Sequence, residues 1–101
     1  MIIYNVTSKV DWSIHDEWVK WMLEEHMPEV AATGCFTQYQ LLRILETDEE
    51  EGPSYAAQYF AENRAQYELY IEKFAPDFRQ KVFDKWANRM MSFRSIMQVV
   101  S

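Results

Sequence analysis

Apolar side chains recur along this chain with two periods. In MIIYNVTSK, residues 1–9, Ile2, Tyr4 and Val6 alternate with Ile3, Asn5 and Thr7, which predicts a strand. In DWSIHDEWVKWMLEEHM, residues 11–27, Ile14, Trp18, Trp21 and Met22 fall at helical spacing. Ser13 is the expected N-cap, and Asp16 and Glu17 suit the positive helix start. Pro28 lacks an amide hydrogen, so the helix is expected to kink there, or to end and restart with Pro28 in a first turn. Gly34 is the natural left-handed residue at the helix end.

CFTQYQLLRILE, residues 35–46, reads as a long second strand, and SYAAQYFAE, residues 54–62, as a third. The polar TDEEEGPS between them predicts a hairpin. Asn63 then caps RAQYELYIEKFA, with Gln66 in the capping-box position and Tyr67, Tyr70, Ile71 and Phe74 as the apolar stripe. Pro76 opens PDFRQKVFDKW, with Phe78, Val82 and Trp86 in register. MMSFRSIMQVV, residues 90–100, is a last strand.

The order is β-α-β-β-α-β, the ferredoxin-like or split βαβ pattern of the α+β class. It implies a four-stranded antiparallel sheet with the helices on one face, in a single domain over residues 1–101. The other face would carry Ile3, Leu41, Leu45 and Phe60, too apolar to leave wet. Two such sheets packed face to face would cover it, so a symmetric homodimer is expected.

Composition narrows the function. Six Phe, six Tyr and four Trp are many large rings for one small domain, and some are expected at an interface or in a ligand pocket. The net charge of −6 argues against nucleic acid and against an anionic membrane surface. No apolar run is long enough to span a bilayer, and the first ten residues lack a signal-peptide pattern. The single cysteine, Cys35, excludes a disulfide within the chain and suits a reducing cytoplasm.

Candidate chemistry is sparse. His15 and His26 project to nearly the same side of one helix, but about 16 Å apart along it, too far to share a metal ion. Neither has a metal-ligating partner four residues on, and no metal site is expected. His26 stands out because the nearby proline fixes the bend and so fixes where the imidazole points. Arg43 and Arg94 lie within apolar strands and require a paired charge or an anion if they face a closed site. Strand parity can place both on the same face as Asn5. Cys35 lacks an evident base except His26, nine residues away. The TDEEE tip lacks the spaced oxygens of a calcium loop.

The assembled pattern MIIYNVT, HMPEV, TGCF, LLRILE, YAAQYFAE and FAP resembles the domain-of-unknown-function 4286 family, within the dimeric α+β barrel superfamily, over nearly the whole chain. The resemblance implies a barrel-forming dimer of ferredoxin-like protomers and no assigned reaction. The superfamily includes cofactor-free monooxygenases, haem-degrading enzymes and lactone isomerases. The haem-degrading members resemble this chain at Asn5, but their histidine and tryptophan context is not matched by His26 and Trp86. No cofactor is therefore expected.

Three functions follow as expectations. The leading one is a cytoplasmic homodimer that binds a small, partly apolar molecule, with an anionic group allowed by the arginines. Its pocket would use Tyr4, Asn5, His26, Arg43, Tyr59 and Arg94. The second is a cofactor-independent monooxygenase or isomerase of an aromatic or enol substrate. There His26 is the candidate catalytic base, and Asn5 or Arg94 stabilises the oxyanion. The third is a structural dimerisation module without a ligand.

Overall fold

The computed structural model describes residues 1–101. Four strands form one sheet: β1 (Ile2–Val10), β2 (Gln38–Ile44), β3 (Ser54–Ala61) and β4 (Met90–Gln98). Their order is β2-β3-β1-β4, and every pairing is antiparallel. Between β1 and β2 run α1 (His15–Trp21), a π-helical turn (Met22–His26) and α2 (Met27–Ala31). Between β3 and β4 run α3 (Arg64–Lys73) and α4 (Ala75–Trp86).

The helices cover one face of the sheet. Even-numbered residues of β1 (Ile2, Tyr4, Val10) and odd-numbered residues of β3 (Tyr55, Ala57, Tyr59, Ala61) form one buried cluster with Trp18, Met22, Met27 and Val30 of the first helical segment and Tyr67 and Tyr70 of α3. The parity is that of a strand, since successive side chains point to opposite faces. Trp18, only 1% exposed, is the largest fully buried side chain.

The opposite face has no covering element. Ile3 stands between Phe60 of β3 and Met97 of β4, and Thr7 stands between Ala56 and Phe93. Leu42 shares this face through its register with Ala56. Leu41 does not: it pairs with Ala57 and packs against the helix-side core, while Leu45 lies beyond β2 and is exposed. The expected apolar face is therefore present, but two of its four expected members lie elsewhere.

Three local expectations are corrected. The first helical turn is capped by Asp11, whose Oδ1 accepts from the Ser13 amide at 2.8 Å, rather than by Ser13. The second strand begins at Gln38, not Cys35; Cys35 and Phe36 precede it and are buried. Near Pro28 the irregularity lies upstream. Pro28 occupies the first turn of α2, and Met27 keeps helical angles of φ −64° and ψ −40°. A proline cannot donate to the carbonyl four residues back, and its ring crowds that group. The preceding turn widens, with the Met27 amide bonding to the Met22 carbonyl five residues back.

Gly34 has φ +81° just after α2, as the sequence implies. Asn63 accepts from the Gln66 amide at 3.0 Å and caps α3. No helix is long and apolar enough to cross a membrane.

Candidate functional site

The π-helical turn ends at His26, and this sets the direction of its side chain. The imidazole stacks on Trp21, with centroids 4.7 Å apart and planes inclined by 16°. Phe78 of α4 meets it edge-on at 5.8 Å. Burial lowers the His26 pKa from 6.5 to about 4, against a smaller opposing effect of Glu29 and a reinforcing one of Lys81. The ring is therefore neutral at pH 7.

From His26 a row of rings leads to the sheet. Phe78 stacks on Tyr70 at 6.2 Å, and Tyr70 packs at 5.6 Å from Tyr4, on the central strand β1. Tyr4 also contacts Tyr59 of β3, with centroids 6.0 Å apart. Burial and neighbouring phenols raise the Tyr59 and Tyr70 pKa values far above the ordinary phenol, so both stay protonated.

The Tyr4 hydroxyl accepts a hydrogen bond from Arg94 Nε at 3.0 Å and a longer one from Arg79 Nη2 at 3.5 Å. The two arginines come from β4 and α4, so the edge strand and the last helix converge on one oxygen. Neither guanidinium has a carboxylate within 4.0 Å; the ion pairs that form are His15–Asp16, Arg43–Glu49, Arg64–Glu68 and Lys81–Glu29. In a chain with 16 acidic residues and net charge −6, two adjacent arginines without an acidic partner are notable.

These groups line a cleft between the helices and the sheet, floored by Val6, Ser8 and Ala57 and flanked by Met22, Val82 and Met90. It holds about 480 Å³ of non-atom space, open solvent at its mouth included. At its base the hydroxyls of Ser8 and Ser92 are 2.8 Å apart. Trp18 also lines it, and its buried Nε1 has no hydrogen-bond partner.

Of the six residues expected in a pocket, Tyr4, His26, Tyr59 and Arg94 line this cleft. Asn5 and Arg43 do not. Asn5 faces the uncovered side, where its Oδ1 accepts from Gln58 Nε2 at 3.3 Å and its Nδ2 donates to Thr7 at 3.0 Å. Arg43 is on the helix side but on the far edge strand, paired with Glu49 at 2.8 Å. The expected grouping of Asn5, Arg43 and Arg94 on one face is therefore not formed. Arg43 shares parity with Arg94, and Asn5 has the opposite one.

Arg79, Tyr70, Phe78 and Trp18 complete the cleft beyond the six expected residues. Arg79 directly follows Phe78 in α4, and no spacing in the sequence singles it out. Cys35 is buried and is not among the lining residues. His15 bonds through Nε2 to the Tyr55 hydroxyl at 2.7 Å, outside the cleft. No group of three or more His, Cys, Asp or Glu side chains is placed to hold a metal ion.

The strand order, the antiparallel pairing and the one-sided helices define a ferredoxin-like protein of the α+β class. The family model "Domain of unknown function (DUF4286)" matches residues 1–100, and the chain belongs to that family. Among solved structures, it is similar to a dimeric ferredoxin-like protein from an uncultured marine organism. The two are 17% identical with a TM-score of 0.69, over 99% of this chain and 95% of that one. No curated protein matches the chain.

Proposed function

We propose that the protein binds a small, partly apolar anion in the cleft between its helices and its sheet. The carrying observation is the convergence of Arg79 and Arg94 on the Tyr4 hydroxyl without an acidic partner for either. Both guanidiniums keep donors for an incoming oxyanion, and an arginine fork matches a carboxylate or phosphate. Tyr4 Oη accepts from both, so its own proton remains free to donate. The wall of Tyr70, Phe78 and Val82 supplies the apolar part.

The cleft lies beside His26, which counts against a purely structural module without a pocket. Catalysis by His26 is less well supported than binding. A pKa of about 4 makes it a weak base at pH 7, whereas an efficient general base titrates near the working pH.

The protein acts, in this proposal, as a cytoplasmic homodimer joined through the uncovered sheet face. Phe93 and Met91 on that face are 64% and 76% exposed, beside Ile3, Phe60 and Met97. Apolar area of that kind is costly to leave in water. The similar structure is described as dimeric, which supports a dimer here. The buried free thiol of Cys35 suits a reducing compartment.

Native mass spectrometry of protein purified gently from its source tests both parts. A dimer with added mass that disappears in Arg79→Gln and Arg94→Gln is expected. A dimer whose added mass persists in both variants would place the ligand elsewhere, and a monomer would remove the face-to-face assembly.

A further inference from the structure

Resting on the anion-binding proposal, we infer that the ligand class is a planar aromatic carboxylate. Three features of the cleft select it. The first is size. The cleft holds about 480 Å³ of non-atom space, open solvent at its mouth included, a volume that suits a molecule of one ring.

The second is the wall. Tyr4, Tyr70, Phe78 and His26 follow one another at centroid distances of 5.6, 6.2 and 5.8 Å. This continuous run of ring faces and edges begins at the arginine end. Aromatic partners gain from stacking beyond the burial of area, and an aliphatic chain does not.

The third is the donor set. The anion would meet two guanidiniums and a phenol hydroxyl, all of them side chains. A phosphate cradle is ordinarily built from successive backbone amides in a glycine-rich turn or at a helix start. The chain has only two glycines, Gly34 and Gly52, and neither lines the cleft. Trp18, whose Nε1 is unpartnered, and the neutral His26 also line the cleft, and their ring nitrogens can bond an oxygen on the ring, as in a hydroxylated aryl acid.

Calorimetric titration of the full chain with cinnamate, hexanoate, phenyl phosphate and cinnamyl alcohol tests the class. Cinnamate is expected to bind, and each of the other three about tenfold or more weakly. Arg79→Gln and Arg94→Gln are each expected to weaken cinnamate about tenfold, while Arg43→Gln leaves it unchanged. Both cleft arginines are exposed at the surface, so these variants retain the fold. Hexanoate or phenyl phosphate binding as well as cinnamate would overturn the aromatic-carboxylate class while leaving the anion cleft in place. Equal binding of the alcohol, or no effect of either arginine, would overturn the anion site as well. Binding of none of the four would overturn the class, with the source-purified adduct then deciding the anion site separately.

Discussion

Arg94 and Tyr4 meet diagonally across two strands. Arg94 stands opposite Val6 in the β1–β4 ladder, two residues from Ile96, the partner of Tyr4, and its Nε reaches the Tyr4 hydroxyl at 3.0 Å. Diagonal neighbours on one sheet face are within reach of long and aromatic side chains. The contact ties an exposed cation to the hydroxyl of the β1 ring that also touches Phe36, Tyr59, Tyr67 and Tyr70.

Replacing Tyr4 with Phe separates binding from stability. The ring stays packed, but the oxygen that both arginines share is lost. The arginines are exposed and regain water, so unfolding free energy should fall by less than about 1 kcal/mol. Anion affinity should fall about tenfold, because one donor is removed and both guanidiniums lose their anchor. Chemical denaturation and calorimetric titration of the same preparation check the two halves.

His26 gives the fold a dependence on acid. Its pKa is 6.5 when unfolded and about 4 when folded, so the unfolded chain binds the proton more readily. The native state's advantage is complete above pH 6.5 and is lost as the pH falls through 6.5 towards 4. The loss amounts to roughly 3 kcal/mol at pH 4. His26→Phe keeps a ring between Trp21 and Phe78 and should remove that part of the slope. Urea unfolding of both proteins at pH 7 and near pH 4 measures it; parallel curves would mean the imidazole is not buried as described.

The order of elements was legible because alternation and helical spacing are local properties of the chain. Alternation within a strand does not give the register between strands, and so Arg94 was expected beside Asn5 but stands on the face of Tyr4 and Val6. Parity failed at β2. Cys35 and Phe36 are buried before the strand starts, so the faces of Leu41 and Arg43 cannot be counted from them. A one-residue slip moves every side chain to the other face. Arg79 was hidden for another reason. Its role arises from a strand and a helix meeting at one oxygen across 75 residues, and no local pattern encodes that meeting.

The hairpin loop before β3 is held tightly to the end of β1. The Val10 amide donates to the Pro53 carbonyl at 2.9 Å, and Trp12 Nε1 donates to the Glu49 carbonyl at 2.8 Å. A Cβ at Gly52 would collide with the Val10 carbonyl, which is backbone and cannot turn aside. Gly52→Ala should therefore cost about 3 kcal/mol. Gly34 is the opposite case: its surroundings are open and only its φ of +81° resists a side chain. Gly34→Ala should cost about 1 kcal/mol. Thermal melts of the two variants should rank in that order, and a reversed order would mean that the loop does not dock on Val10.

The uncovered sheet face is the last point open to a direct test. Phe93 sits on β4 opposite Thr7, and most of its ring is exposed in the single chain. A charge there leaves the monomer's core untouched, because the core lies on the other face. In a face-to-face dimer the same charge would be buried without a partner, at a cost of several kcal/mol per subunit. Phe93→Glu should therefore leave the melting of the monomer nearly unchanged and shift sedimentation from dimer to monomer. Pairing it with Phe83→Glu, an exposed ring on α4, supplies the control. If Phe83→Glu separates the subunits and Phe93→Glu does not, the helices and not the sheets form the interface.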